Sequence, residues 1–396
     1  MLRTVLRVLG QVLRRLATRV VLIASLALIA VAASVFIGPV VPDWLIDKLG
    51  VDSLDTILNI LASSMLTVTT FSLSILTGAI QFASSSVTPR SRLILRDDAI
   101  TNMVLANFVG AFVFALIGII LRATPFMGEA ESALLFLLTV AVIAVVIVSI
   151  LRWIDHLARL GAMDETIATF EITANRVMAQ FAERPALGGH AVTQKDIDAH
   201  AGGPVLTCQL AGYVEQIFED ILQGTADEAD IDLYIPVRPG DYILPDMPLA
   251  YLTGEVSDEV ADSLRGGFRI TANRMFEQDP RLAVIVMTEV ASRALSPGIN
   301  DPQTAIDVVH RLSAVLMLCA PDLAAKDAEI VNPRLHMVPT DPDAFFRATF
   351  DVIARDGGDK AEIAAAIRGA LDRLEGYADT RVREAARDCR ARLDLD

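Results

Sequence analysis

The chain has 396 residues, 53% hydrophobic and 21% charged, with a formal net charge of -15. Residues 1–160 hold 12 basic and 9 acidic side chains, a net of +3, whereas the remaining 236 hold 22 and 40, a net of -18. So acidic a C-terminal region lacks the cationic face that nucleic-acid binding needs and is repelled by anionic headgroups, and its three scattered cysteines, Cys208, Cys319 and Cys389, fit reduced thiols rather than a disulfide framework.

Residues 1–19 read as a cationic amphipathic helix. Leu2, Leu6, Leu9, Leu13 and Leu16 share one face, and arginines occupy the others. Such a helix lies among the inner headgroups, either as a topology anchor or as a lateral sensor of the bilayer. Four apolar segments follow at 20–41, 57–80, 103–121 and 132–151, each close to the twenty or so residues that cross a hydrocarbon core. Together they predict a four-helix transmembrane domain over 20–151. The first is too long for a cleaved signal and is followed by three more spans. Loop charges set the orientation. Arg3, Arg7, Arg14, Arg15 and Arg19 precede the first span, and Arg90, Arg92 and Arg96 lie between the second and third. The loop after the first span carries Asp43, Asp47, Asp52 and Asp55 against Lys48 alone. Basic short loops stay cytoplasmic, so both termini are expected inside.

The second span carries a polar stripe. Thr56, Asn59, Ser63, Thr67, Thr70, Ser74, Thr77 and Gln81 recur at spacings of three or four, which keeps them within roughly ±40° of one helix face. Lipid offers those groups nothing, so the face must meet another helix or water. Two readings follow. In the first, hydroxyls let helices approach closely and bond back to their own i−4 carbonyls. In the second, the stripe lines a water-filled pore shared by several copies of the chain, with Asp52 at the outer mouth and Arg90 and Arg92 at the inner mouth. A four-helix unit encloses little space, so a pore requires a homo-oligomer. Gly110, Ala111, Ala115 and Gly118 in the third span offer a small-residue surface for subunit contacts.

The fold class expected overall is an α-helical membrane protein with a mostly α cytosolic domain that contains a small β module, an α+β arrangement. A helical stalk covers 152–187. A β-rich module covers 188–256, with strands in Val205–Val214 and Ile231–Ile235 and a helical run over Glu215–Leu222 between them. Turn signals at Pro239-Gly240 and Pro245-Asp246 make 238–252 resemble the hairpin of small barrel-sandwich modules. A helical domain covers 257–396, with helices near 281–295, 304–320, 343–355 and 360–393. Between the first two lies Ser296-Pro297-Gly298-Ile299-Asn300-Asp301-Pro302. Here Gly298 suits positive φ, Asn300 an Asx turn, Asp301 an N-cap and Pro302 the first helical position. Ser296, Gly298, Asn300 and Asp301 mark either a ligand-sensing corner at a helix N-terminus or a rigid structural turn.

These residues also carry a resemblance. The run Arg293-Ala-Leu-Ser-Pro-Gly-Ile-Asn-Asp-Pro-Gln-Thr-Ala305 resembles the hallmark of a family of bacterial predicted membrane proteins classed as a domain of unknown function. Thr88-Pro89-Arg90, Pro239-Gly240-Asp241 and Gln278-Asp279-Pro280 extend the likeness across nearly the whole chain. The resemblance implies a bacterial inner-membrane protein with a cytosolic tail and no particular activity.

Enzyme chemistry finds no foothold in the sequence. It has no G-x-x-x-x-G-K, no G-x-S-x-G and no H-E-x-x-H. His156, His190, His200, His310 and His336 lack metal-ligand spacing, and His310 one turn from Asp307 reads as an ordinary helix pair. No catalytic residue, metal or cofactor is expected. The expected partners are the lipid bilayer, further copies of the chain and permeating ions, with no nucleic acid. Two functions remain open: a homo-oligomeric ion channel lined by the second span and assembled or gated by the acidic domain, or a non-conducting scaffold or sensor whose tail binds protein partners or a small ligand.

Overall fold

The computed structural model describes residues 53–86, 90, 99–124, 129–159, 163–320, 330–357 and 360–395. The expected helix at 1–19, the span at 20–41, Asp52 and Arg92 lie outside the described residues. The chain divides into two compact units, one holding the membrane-type helices and one running from Thr166 to Asp396, with which Arg90 is grouped.

In the first unit, helices α1 (Leu54–Ser86), α2 (Ala99–Arg122) and α3 (Glu129–Arg159) contain stretches long and apolar enough to cross a membrane: Leu54–Ala79, Ile100–Arg122 and Ser132–Leu157. They extend the spans expected at 57–80, 103–121 and 132–151 by a few residues at their ends. The core uses one side of α1. Leu54, Leu58, Leu61, Ala62 and Met65 pack against Val104, Phe108, Ala111, Phe114 and Ala115 of α2, with Leu135, Val146 and Trp153 of α3. Gly118 lets α1 and α2 close up, because a Cβ there would stand 3.1 Å from a Leu58 methyl. The small residues expected to serve subunit contacts are therefore consumed inside the chain: Ala111 and Ala115 are buried beneath α1.

Helix α4 (Met163–Glu183) leads into the second unit, so the helical continuation past Arg152 is shared between the end of α3 and a separate helix. Next come β1 (His190–Ala191), α5 (Gln194–Ala199), β2 (Val205–Thr207), β3 (Gly212–Ile217), α6 (Glu219–Ala229), β4 (Leu233–Ile235), β5 (Tyr242–Ile243), β6 (Pro248–Leu252), α7 (Asp258–Gly266) and β7 (Phe268–Thr271). The run Val205–Val214 is two strands in different sheets, and residues 215–217, expected to be helical, complete β3. The stretch 238–252 forms no simple hairpin. Asp246 takes a left-handed φ of 68°, and β5 pairs with β3 while β6 pairs with β2 and β4. Past residue 256 the sheets gain β7 and β8 (Leu335–Met337). Sheet one has the order β1-β8-β4-β6-β2, parallel across β1-β8-β4 and antiparallel beyond, and sheet two has the order β5-β3-β7. Between them lies a core that includes Leu206, Val214, Ile217, Leu222, Leu233, Leu252 and Leu335.

The helices that follow are α8 (Pro280–Ala294), α9 (Pro302–Leu316), α10 (Pro342–Ala348), α11 (Phe350–Gly357), α12 (Ala361–Tyr377) and α13 (Thr380–Arg392). Where two final helices were expected there are four. Thr349, fully buried, breaks helical geometry at φ -121°, ψ -88° while its hydroxyl bonds back to Phe345 O at 2.8 Å. Ala378 is extended, and Asp379 caps α13 by accepting from Arg381 N. Phe345, Phe346 and Phe350 are fully buried in this part of the core.

Candidate functional site

The polar stripe lies on α1 opposite its packed side. At 100° per residue, the mean direction of Leu54, Leu58, Leu61, Ala62 and Met65 is roughly 155° from that of the eight polar residues. All eight, from Thr56 to Gln81, are exposed. Five of the six hydroxyls are occupied within the helix. Ser63 donates to Asn59 O at 2.9 Å, Thr67 to Ser63 O at 2.9 Å, Thr70 to Leu66 O at 2.9 Å, Ser74 to Thr70 O at 3.0 Å and Thr77 to Leu73 O at 2.8 Å. Asn59 gives one amide hydrogen to Asp55 O at 2.8 Å. The stripe therefore takes no part in the core of its own unit, and its bonded hydroxyl donors need no partner from outside the helix. Ser72 is the counterexample on the packed side: it is 1% exposed, and its Oγ has no hydrogen-bond partner.

Charged and amide groups elsewhere in this unit are built into it. Arg122 forks onto Asp55, with Nε and one terminal nitrogen each 3.0 Å from a carboxylate oxygen, and its other nitrogen donates to Ser132 Oγ at 3.0 Å. This joins the first turn of α1 to the end of α2 and the start of α3. Asn107 donates to Ser149 Oγ at 2.9 Å, and Thr101 Oγ1 lies 3.2 Å from His156 Nε2, so both contacts tie α2 to α3. Arg90, grouped with the second unit, donates to the Glu289 carboxylate of α8.

In the second unit three of the motifs behind the family resemblance gather at the two ends of α8, and Thr88 and Pro89 of the fourth lie outside the described residues. At its start, Asp279 is 1% exposed, accepts from Leu282 N at 3.0 Å as the N-cap, and is forked by Arg274 at 2.6 and 2.9 Å. Gly240 lies against that carboxylate with φ +90°, where a Cβ would collide with it. Asp241 accepts from Arg281 at 2.7 Å and from Arg238 N at 2.9 Å. Burial pushes the Arg238 guanidinium below its usual pKa. Gln278 grips the backbone of Ile217 from both sides, accepting from its N–H at 2.8 Å and donating to its carbonyl at 3.0 Å. Pro239-Gly240-Asp241 and Gln278-Asp279-Pro280 are thus one interlocked structure.

At the other end of α8 is the Ser296–Pro302 corner. The left-handed residue is Asn300, with φ 50°, and Gly298 does not take a positive φ. Asn300 N and Ile299 N both donate to Ser296 O, Asp301 N donates to Ala294 O at 2.8 Å, and Ser296 Oγ donates to Arg293 O at 2.6 Å. Asp301 accepts from Thr304 N at 3.1 Å and from Thr304 Oγ1 at 2.6 Å, so it occupies the first N–H groups of α9. The Thr304 hydroxyl, then its backbone, holds the Asp301 carboxyl below the usual carboxylate range. These internal bonds fit a structural corner whose tip, Pro297 to Asn300, stays exposed.

Histidine spacing in the sequence hid a second cluster. His190, His336 and Tyr234 stand side by side on three adjacent strands, and His200 completes a stack of rings. No linear motif could reveal it, because the register of β1, β8 and β4 creates it. Asp307, by contrast, pairs with Arg311 at 2.7 Å.

The family model described as "Predicted membrane protein (DUF2254)" matches residues 14–373. The chain belongs to this family. An uncharacterized protein of Mycobacterium bovis and another of Mycobacterium tuberculosis are each similar, 26% identical over 257 residues. That alignment covers 62% of this chain and 48% of each relative, so the chain spans about half the length of the curated relatives it matches. No solved structure matches the chain. The family description and the three apolar helices agree on a membrane protein in contact with the lipid bilayer.

Proposed function

We propose that the chain is one subunit of a homo-oligomeric ion channel of the bacterial inner membrane, with the outward polar face of α1 as its pore wall. The loop charges support an orientation with both termini cytoplasmic, which makes the acidic C-terminal unit the part that assembles or gates the channel. The role is non-catalytic and needs no cofactor. The observation that carries this reading is the placement of eight polar residues on the exposed side of α1, opposite the side packed on the described residues of the membrane unit. In a ring of subunits that face turns inward to water, and the exposed apolar residues Ile60, Leu66, Phe71 and Leu73 flank it.

A second reading has its own support. Hydroxyls saturated by their own backbone can face lipid or a partner helix at little cost, which fits a non-conducting scaffold or sensor.

Ion flux through purified protein in liposomes, with Thr70→Leu beside the wild type, separates the two. The channel predicts wild-type flux that disappears in a folded mutant of the same particle size, because a leucine ring makes a dry constriction. In a packed interface between copies, the substitution instead overfills the contact by about 1–3 kcal/mol and shifts the particle toward monomer. A monomeric wild type with no flux under any salt, potential or tension removes the channel and leaves the scaffold.

A further inference from the structure

The junction of β1, β8 and β4 holds the densest group of titratable rings in the described chain. Register alone builds it: His190 pairs with His336, and His336 pairs with Tyr234, along parallel strands whose side chains at one rank share a face. The His190 and His336 rings stack with centroids 4.8 Å apart and planes 10° apart. His336 and Tyr234 stack at 4.4 Å and 8°. His200, at the end of α5, closes the row over Tyr234 at 3.5 Å and 14°. The His336 ring is thus held between two others, its side chain is 15% exposed, and its buried Nε2 has no hydrogen-bond partner.

We propose that this ring stack is a proton-operated latch: a neutral His336, stacked between His190 and Tyr234, holds β8 between β1 and β4, and its protonation loosens it. The latch is independent of whether the protein conducts. A proton on His336 would place a cation inside a stack whose next ring, 4.8 Å away, is a second imidazole. The surrounding charges compensate poorly. Asp232 Oδ2 approaches His336 Nε2 only to 4.0 Å, and its other oxygen is shared with Arg334 at 3.3 Å. Arg334 adds a fixed positive charge beside β8, where it also binds Asp230 at 2.5 Å and Asp227 of α6 at 3.4 Å. On α6, Gln223 supplies only an amide oxygen, to Arg334 N. From α5, Asp196 has its carboxylate tied to Thr193, and its carbonyl oxygen lies 2.8 Å from His200 Nδ1. Across β4 the group in register is Tyr251, a phenol.

Burial first, and then His190, holds His336 below the usual histidine pKa, against the pull of Asp232. Above roughly pH 6.5 the ring is neutral both in place and released, so pH has no effect. Below that value the released strand takes up a proton that the stacked ring refuses. The closed junction then loses equilibrium stability, approaching tenfold per pH unit, until the stacked His336 ring itself titrates. Because β8 is the strand that returns from the helical part of the unit to the sheet, loosening it would uncouple the two parts.

The test is hydrogen–deuterium exchange of the full chain in lipid nanodiscs at pH 7.5, 6.5 and 5.5, corrected for intrinsic exchange. The reporters are the amides bonded across the junction, Val192 to Met337 O at 2.9 Å and Leu233 to Arg334 O at 2.8 Å. Their protection should fall by up to about fivefold between pH 6.5 and 5.5, while that of α8 and α9 holds. His336→Gln should remove most of the pH dependence, His190→Gln should reduce it, and His310→Gln, outside the stack, should leave it as in wild type. Protection that stays flat in the wild type, or falls equally in both stack variants, overturns the latch. If His336→Gln does not fold, the His190→Gln comparison and a histidine-selective NMR titration of the wild type decide. A His336 resonance that titrates at or above 6.5 with unchanged β8 amides overturns the proposal too.

Discussion

The outward face of α1 and the ends of α8 are both rich in polar side chains, yet they satisfy them in opposite ways. On α1 each bonded hydroxyl turns back to a carbonyl of its own helix. At the start of α8, side chains reach across the fold: Gln278 to Ile217, Arg281 to Asp241, and Gly240 against Asp279. The first arrangement leaves a face compatible with water, lipid or another copy. The second fixes how a sheet and a helix bundle meet. Polar residues at helical spacing thus say little about their surroundings, whereas a polar side chain held by a distant segment reports a defined fold.

The comparison can be broken most sharply at Asp279. Asp279→Ala strands the Arg274 guanidinium and uncaps α8, and should destabilise the C-terminal unit by about 3–5 kcal/mol, measured as a shift in urea midpoint by circular dichroism. A loss below about 1 kcal/mol would show that the interlock is not a structural centre. Leu58→Ala should cost the membrane unit about 2–5 kcal/mol, because the leucine is fully buried against Gly118. Thermal scans in detergent can follow it through Trp153, which lies in the same core.

A smaller effect is expected at Asp301→Ala, about 1 kcal/mol for a lost cap. The Asp301 carboxyl is held below its usual pKa, so its contribution is present above about pH 3.8 and fades as pH falls through the folded value. An equal loss in the mutant at pH 3 and pH 7 would contradict that assignment. The smallest changes belong to α1. Ser72→Ala removes a buried hydroxyl with no partner and should leave stability unchanged or raise it by up to about 1 kcal/mol. Thr67→Val, on the outward face, should stay within about 0.5 kcal/mol. A loss above about 1 kcal/mol in Thr67→Val would show that the outward face of α1 is packed after all.

What the sequence made legible follows from how local each signal is. The stripe, the three described spans, and the Asp301-Pro302 start of α9 rest on contacts within one or two helical turns, and all can be read from spacing. The use of Gly118 and Ala115 within the chain was not legible, because small residues at helical spacing suit an internal partner as well as an external one. Thr349 gave no breaker signal: its kink goes with full burial and a hydroxyl bonded back to Phe345 O, neither of which spacing reveals. The two-residue β5 and three-residue β8 are too short for any alternation. The ring stack of His190, His336 and Tyr234 exists only through strand register, so residues scattered along the chain become neighbours without a motif.

The placement of β8 also has a consequence for how the protein is made. Its strand partners are synthesised first: His190 precedes His336 by 146 residues, and Tyr234 precedes it by 102. At about 5–20 residues per second, a ribosome leaves β1 waiting on the order of ten seconds for the strand that completes its sheet. Through that interval β4 offers a free edge toward the position β8 will fill. Nascent chains halted before residue 335 should therefore be the most prone to pair with the wrong partner, and the five-stranded sheet is among the last features of the C-terminal unit to close.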